Sequence, residues 1–219
     1  MSRVGTIIAG FSLVLAFSQA TVDARTAQET TEADSASANV DTNGNDRRLG
    51  ELRKGDRQWG LVAGVGIAHE VFGGVADRQF LVLGGQHGRI FTNAIGPGFM
   101  KGHMEVGGEI YPVFLMFQDP TTYGFTFTLL FRHYMAPASK VKPFLSFALG
   151  TLVSVDPIPA ESSHLNFTTQ LGLGVMWFHR PRLAYSLEYR VQHLSNNSLS
   201  TVNPGINSSY IQFGVRVFR

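Results

Sequence analysis

Residues 165–177 read Leu-Asn-Phe-Thr-Thr-Gln-Leu-Gly-Leu-Gly-Val-Met-Trp, a stretch in which apolar residues alternate with polar residues or glycine. A period of two places successive side chains on opposite faces of a β-strand. One face would carry Leu165, Phe167, Thr169, Leu171, Leu173, Val175 and Trp177. The stretch therefore predicts a long strand with one apolar face and one polar, glycine-rich face.

Seven further stretches show a similar alternation. They are Trp59-Leu61-Ala63-Val65-Ile67, Phe80-Val82, Met104-Val106-Gly108-Ile110, Tyr123-Phe125-Phe127-Leu129-Phe131, Val141 to Leu149, Leu183-Tyr185-Leu187-Tyr189-Val191 and Ile211-Phe213-Val215-Val217. Residues 58–219 thus divide into about 20 residues per strand and connection, enough for the ~9 to 11 residues of a tilted membrane strand. The pattern predicts eight strands.

Alternation alone fits a soluble sandwich or a lipocalin-like barrel as well as a membrane barrel. Three observations favour the membrane: the strands are long, the second face carries Gly, Thr, Gln, Glu and Arg, and aromatics recur near strand ends. The aromatics that we expect in an interfacial girdle are Trp59, Tyr111, Tyr123, Tyr134, Trp177, Tyr185, Tyr210 and Phe218. We predict an all-β protein whose residues 58–219 form an eight-stranded antiparallel outer-membrane β-barrel.

The N-terminal region predicts export. Residues 1–24 have a basic Arg3, an apolar run from Ile7 to Phe17 that is too short to span a bilayer, and small residues at Ser18, Ala20 and Ala24. We therefore expect a cleaved signal peptide and location in the bacterial outer membrane. Residues 25–57 are polar and contain almost no large apolar side chain, so we expect a disordered linker.

Composition excludes several classes of function. The chain of 219 residues has no cysteine and a formal net charge of +2, which disfavours disulfide scaffolds, cysteine-bound metals and nucleic-acid partners. Its histidines lack metal-ligand spacing, and its glycine-rich stretches lack the strand–turn–helix context of nucleotide loops. We expect no metal and no cofactor.

Connection lengths predict an orientation with both ends of the barrel chain in the periplasm. Periplasmic turns would lie near residues 93–101, 135–140 and 179–182, and outer loops near 70–78, 118–122, 154–163 and 196–208. Inside the barrel, we expect Glu105 and Glu109 to form a salt-bridge network with Arg132 or Arg190, because small barrels fill their interiors with side chains.

The seventh strand ends its apolar row in two polar residues. After Val191 the same face presents His193 and Ser195, whose Cα atoms would be roughly 6.5 Å apart. A serine beside a histidine base suits acyl transfer, with Ser195 as nucleophile, His193 as general base and backbone N–H groups from Asn196 onward as oxyanion donors. Polar residues at the membrane rim cost only ~0 to 1 kcal/mol, however, so the spacing alone favours ordinary rim residues.

The segment Leu187–Asn196 (LEYRVQHLSN), followed by a short loop and a closing strand, resembles the C-terminal signature of the lipid A 3-O-deacylase family (PagL-type outer-membrane barrels). The resemblance implies an active site on the outer wall at the external leaflet, and metal-independent removal of an ester-linked acyl chain from lipid A. It implies His193 as the base, Ser195 as the nucleophile, and an acid fourteen residues beyond the histidine.

In this chain the position of the acid is Asn207, and no Asp or Glu follows Glu188. An asparagine can fix the imidazole tautomer but cannot stabilise imidazolium by charge. Turn chemistry at Pro204-Gly205 is an equal explanation for the segment around Asn207.

The leading hypothesis is therefore a lipid A deacylase-like serine esterase whose partner is lipopolysaccharide of the outer leaflet. The rivals are a non-catalytic small outer-membrane barrel with a structural or adhesion role, and a soluble periplasmic lipid-binding barrel.

Overall fold

The computed structural model describes residues 47–71, 74–136, 138–160 and 162–219. Its strands are β1 (Arg57–His69), β2 (Gln79–Ile90), β3 (Gly102–Phe117), β4 (Thr122–Met135), β5 (Val141–Ser154), β6 (Leu165–Arg180), β7 (Leu183–Ser195) and β8 (Ile206–Phe218). A single-turn 3-10 helix at Gly98–Met100 lies between β2 and β3. Within the described residues no helix is long and apolar enough to cross a bilayer. The expected signal peptide, residues 1–24, and residues 25–46 of the expected linker lie outside the described residues.

The sheet closes on itself. Each strand pairs antiparallel with the next, and β8 pairs antiparallel with β1 from Gln58↔Phe218 to His69↔Asn207. The strands contain between 12 and 16 residues, so each is long enough to cross a bilayer at a tilt. The predicted eight-stranded antiparallel barrel is confirmed.

The connections segregate to two ends of the barrel. Residues 70–78, 118–121, 155–164 and 196–205 connect strands at one end. Residues 91–101, 136–140 and 181–182 connect them at the other, where β1 also begins and β8 ends. Outer-membrane barrels have short periplasmic turns and longer extracellular loops, so we call these the extracellular end and the periplasmic end.

The two faces of each strand follow the predicted parity. On β6, Leu171 and Leu173 are 58% and 60% exposed on the outside of the barrel. Asn166, Thr168 and Gln170 are buried inside it. An apolar exterior and a polar interior are the reverse of a soluble barrel, and this arrangement removes the lipocalin-like alternative.

The predicted aromatic girdle is only partly correct. Trp59, Tyr123, Trp177 and Tyr185 lie on the outside, but Tyr111, Tyr134, Tyr210 and Phe218 are buried in the interior. Each of the buried four is one residue out of step with the lipid-facing row of its strand, so nearness to a strand end did not determine its face. Inside, Tyr134 contacts Phe144 edge-on, with 5.6 Å between ring centroids.

The interior is filled by an ionic network between two apolar clusters. Arg190 donates to both carboxylate oxygens of Glu109 at 2.6 and 2.7 Å, and Arg132 donates to Glu105, Glu109 and Glu188 at 3.1 to 3.3 Å. The predicted salt-bridge network of Glu105 and Glu109 with Arg132 or Arg190 is confirmed: Glu109 pairs with both arginines, and Glu105 pairs with Arg132. These side chains occupy the lumen, as is usual for barrels of eight strands.

Residues 47–56 do not behave as the predicted linker. Leu52 is only 3% exposed and packs at the periplasmic end with Ile90, Tyr134 and Phe218. The Gly55 N–H donates to the Ile90 carbonyl at 2.8 Å. In the part of the chain that the structure describes, residues 47–56 therefore pack against the barrel through Leu52 and through backbone hydrogen bonds to Ile90.

Candidate active site

The outward row of β7 ends in the two polar residues that the sequence pointed to. Leu187, Tyr189 and Val191 are exposed on the outer wall, followed by an exposed His193 and a half-buried Ser195. The two side chains therefore project from the same side of the barrel at its extracellular end.

His193 is fixed by a residue on the neighbouring strand. In the β7–β8 register His193 lies opposite Asn207, and the His193 Nδ1 and Asn207 Oδ1 atoms are 2.8 Å apart. The Asn207 amide donates from Nδ2 to the Val71 carbonyl at 2.7 Å. Because that carbonyl can only accept, Oδ1 must face the imidazole and Nδ1 must carry the proton. The network thus leaves the Nε2 lone pair of His193 as its basic site.

Ser195 is near this imidazole in the chain but is not bonded to it. Among the described residues, the Ser195 hydroxyl makes no hydrogen bond, and His193 bonds through its ring to Asn207 only. Ser195 ends β7, opposite Phe167 of β6. Catalytic hydrogen bonds are commonly long in unliganded enzymes and tighten when substrate binds. A Ser195 hydroxyl that is not bonded to His193 is therefore compatible with a nucleophile and its base.

Glycine lines the side of the histidine ring. Gly205 has φ +69°, and a Cβ on it would lie 3.2 Å from His193 Cε1 and 3.9 Å from Nε2. The Val75 N–H donates to the Gly205 carbonyl at 3.1 Å, so the first extracellular loop braces this position. Only glycine combines the left-handed backbone with the space for the ring.

Asn196 differs from its expected role as an oxyanion donor. Its N–H already donates to Asn203 Oδ1 at 3.1 Å, and its own Oδ1 accepts from the Ser198 N–H at 2.9 Å. Its Nδ2 donates to Ser162 Oγ and to the Val202 carbonyl at 3.0 and 2.9 Å. The residue is fully buried. Asn196 therefore holds the β7–β8 loop together, and its N–H is not free for substrate.

The sequence reasoning missed a second serine–histidine contact. His69 Nε2 and Ser209 Oγ are 2.6 Å apart on the outer wall. His69 lies opposite Asn207 in the β1–β8 register, so the two histidines flank the asparagine. His69 does follow Ile67 in the outward parity of β1, but no local signal pairs it with a serine 140 residues away.

The described residues contain no cluster of three or more His, Asp, Glu or Cys side chains that could hold a metal ion. The polar groups at this site are an imidazole, hydroxyls and amides. These groups suit proton transfer and nucleophilic attack.

The fold and the polar cluster define the class of protein: a small outer-membrane β-barrel with a histidine and a serine on its exterior at the extracellular end. The sequence model of the family described as lipid A 3-O-deacylase (PagL) matches residues 100–216, and the chain belongs to this family. The matched segment includes His193, Ser195 and Asn207. It excludes β1, which carries His69.

Solved structures agree on the fold. The crystal structure of the outer membrane enzyme PagL is 18% identical, with a TM-score of 0.54 over 71% of this chain and 97% of that chain. The structure of Neisserial surface protein A (NspA) is 17% identical, with a TM-score of 0.51 over 75% of this chain and 99% of that one. No curated protein sequence matches the chain significantly. The protein is located in the outer membrane, as the family and these structures indicate.

Proposed function

We propose that this chain is an outer-membrane esterase that removes an ester-linked acyl chain from lipid A. The observation that carries the proposal is the hydrogen bond between His193 Nδ1 and Asn207 Oδ1. It holds the imidazole in the tautomer that leaves Nε2 free as a base, in a member of the lipid A 3-O-deacylase family.

The reaction is a two-step acyl transfer. Ser195 Oγ attacks the ester carbonyl while His193 Nε2 takes its proton, and the imidazolium then returns that proton to the departing sugar oxygen. Water attacks the resulting acyl-serine with His193 again as base, releasing the fatty acid and restoring Ser195. Asn207 orients the imidazole throughout but adds no charge to stabilise imidazolium.

The oxyanion donor that we assign is the side-chain amide of Asn203. Its Oδ1 is held by the N–H of the residue directly after Ser195, so its NH₂ group lies close to the nucleophile's strand end. Asn203 is exposed, unlike Asn196. Amide N–H groups are common partners for the oxygen of a tetrahedral intermediate.

The position of the site suits a membrane substrate. The apolar row of Leu187, Tyr189 and Val191 leads directly to His193 and Ser195 at the extracellular rim. A lipid of the outer leaflet can therefore lay an acyl chain along the wall while its ester reaches the serine, without leaving the membrane.

Ser209 is a second candidate nucleophile, because its hydroxyl already contacts His69 at 2.6 Å. Two observations favour Ser195. Ser209 is only 8% exposed, whereas Ser195 is half-buried. Ser195 also stands next to a histidine whose second ring nitrogen is bonded to an orienting group.

Mass spectrometry of lipid A tests the proposal. Cells would express the wild type, Ser195→Ala, His193→Gln or Ser209→Ala, with folding checked by heat-modifiable gel mobility. We expect the wild type to remove one acyl chain, Ser209→Ala to retain most of that activity, and the other two to lose at least about 10³-fold. Full acylation in cells that contain folded wild-type protein would favour a non-catalytic barrel. Loss of activity in Ser209→Ala alone would move the nucleophile to the second pair.

A further inference from the structure

A second feature of the outer wall lies far from the proposed catalytic residues. A depression of about 1320 Å³ crosses β8, β1, β2, β3 and β4, larger than the roughly 300–1,000 Å³ of an ordinary ligand pocket. Its floor includes Gly85 and Gly108, which occupy outward positions of β2 and β3. A Cβ on Gly85 would have a single neighbour within 4 Å, the Gly60 carbonyl oxygen at 3.6 Å. The recess exists because two lipid-facing positions have no side chain.

The walls of this recess consist mainly of aromatic and aliphatic side chains. On one side the Trp59 and His87 rings stack with centroids 3.9 Å apart, and His87 Nδ1 donates to the Gln58 carbonyl at 2.7 Å. Ile110 and Phe127 line the other side. Such a groove fits an extended hydrocarbon chain.

Three arginines form a row directly below the recess. Arg57 lies opposite Arg89 in the β1–β2 register, and the backbones of Arg57 and Arg219 exchange hydrogen bonds of 3.0 and 2.8 Å. All three side chains are exposed and share the outward parity of Trp59. In the described part of the chain, none of the three guanidinium groups takes part in a hydrogen bond or an ion pair.

The acid next to this row in the sequence, Asp56, does not neutralise it. Asp56 precedes Arg57, but its carboxylate is bound by the Arg47 guanidinium and by the Arg53 N–H. The row therefore presents three cations at one depth, on three adjacent strands, at the periplasmic end of the barrel.

We propose that this groove, the recess together with the arginine row, binds an anionic glycerophospholipid of the periplasmic leaflet. The phosphodiester would lie on Arg57, Arg89 and Arg219, and an acyl chain would fill the recess above Gly85 and Gly108. Basic residues at the membrane surface attract anionic head groups. Tryptophan side chains such as Trp59 are enriched at the same membrane–water interface. The site does not depend on the proposed esterase activity.

A second copy of this chain fits the groove less well than a lipid. Two copies in one membrane share their orientation, so a two-fold interface on this wall would face arginine row to arginine row at the same depth. Like charges in such contact oppose association. A lipid phosphate instead supplies the opposite charge.

Tryptophan fluorescence tests the proposal, because the chain contains only Trp59 and Trp177. The full-length Trp177→Phe protein would be reconstituted into phosphatidylcholine vesicles that contain a small fraction of brominated phosphatidylglycerol or brominated phosphatidylcholine. Quenching of Trp59 then reports which lipid occupies the groove. We expect a preference for phosphatidylglycerol of at least about fivefold, the contribution of roughly one arginine at a membrane surface.

Matched variants separate a specific site from general attraction. Replacing Arg57, Arg89 and Arg219 by Gln should reduce the preference to about one, whereas replacing Lys101, Lys140 and Arg180 by Gln removes the same charge and should leave it unchanged. Gly85→Leu should fill the recess and reduce quenching by both lipids. Equal quenching by the two lipids in the wild type would overturn the proposal. So would a protected Trp59 in a protein that sediments as a dimer, since a second copy would then occupy the wall.

Discussion

Asn207 contacts the His193 imidazole at the position where the resemblance implies an acid. Its amide makes two hydrogen bonds, to His193 Nδ1 and to the Val71 carbonyl, and so fixes one imidazole tautomer. A carboxylate in its place would do the same and would also stabilise the imidazolium that forms during attack. In the proposed mechanism Asn207 therefore orients the imidazole and adds no charge to stabilise the imidazolium.

Supplying that charge should increase the rate. We expect Asn207→Asp to raise kcat about tenfold or more, because the reverse change in a serine protease triad costs about 10⁴-fold. The loss of the amide bond to Val71 limits the gain. The measurement is kcat on detergent-dispersed lipid A at saturating substrate. Asn207→Leu, which removes both hydrogen bonds, should be nearly inactive, and an aspartate variant slower than the wild type would contradict a charge-limited mechanism.

Gly205 has no side chain, and the imidazole of His193 occupies the space that a side chain would fill. Gly205→Ala would place a Cβ 3.2 Å from His193 Cε1 and displace the ring, so we expect kcat to fall at least about tenfold, the effect of 1.4 kcal/mol on a barrier. Gly55→Ala is the matched control, since Gly55 also has a left-handed backbone, φ +101°, but nothing within 4 Å of a new Cβ. Both variants should lose similar stability, and equal loss of activity in both would show that the contact with His193 is irrelevant.

At the scale of the elements, the strands β3, β4 and β7 are linked through the lumen. Glu109 of β3 accepts from Arg190 of β7 and from Arg132 of β4, and all three side chains are fully buried. Such a network is costly to interrupt, because removal of one partner leaves the others charged and unpaired.

We expect Glu109→Gln to destabilise the folded barrel by about 3–5 kcal/mol. Gln86→Met is the control, because Gln86 is equally buried but its side-chain amide has no hydrogen-bond partner among the described residues. This control should be neutral or slightly stabilising. The urea concentration at the midpoint of unfolding, followed by heat-modifiable gel mobility, measures both. A Glu109 variant as stable as the wild type would contradict a stabilising role for this carboxylate.

The extracellular loops hold the residues around the candidate site in place through hydrogen bonds. The β1–β2 connection supplies the Val71 carbonyl to Asn207 and the Val75 N–H to Gly205. The β7–β8 loop is held by Asn196, whose side chain also reaches Ser162 of the β5–β6 connection. Three connections therefore converge on the short segment that carries His193 and Ser195.

For the whole molecule, the exterior apolar surface should behave as a lipid-facing surface. Leu173 lies near the middle of β6 and is 60% exposed, whereas Leu165 begins the strand at the extracellular rim. We expect Leu173→Arg to destabilise folding into vesicles by about 2–4 kcal/mol and Leu165→Arg by about 0–1 kcal/mol. Reversible urea titration in phospholipid vesicles measures both. Equal costs at the two depths would argue against a membrane across this wall.

The molecule places cations both on its outer wall and in its lumen. The exposed arginine row of Arg57, Arg89 and Arg219 lies at the periplasmic end, while the buried cations Arg132 and Arg190 are paired in the lumen. On the outer wall, His193, Ser195 and Asn207 thus lie at the extracellular rim, and this arginine row lies at the periplasmic rim.

Periodicity in the sequence was sufficient to predict the strands, their two faces and the outward direction of His193 and Ser195. This is because successive side chains of a strand alternate between its faces. The same rule applied to Tyr134 and Phe218 would have placed them inside. The docked segment around Leu52 carried too weak a pattern to be recognised.

Closure of the barrel decided the rest. Asn207 bonds to Val71 across 136 residues, and His69 reaches Ser209 across 140, because β1 pairs with β8. The groove above Gly85 and Gly108 likewise needs the register of several strands. Local sequence specifies which way a side chain points, but only the closed sheet specifies which side chain stands next to it.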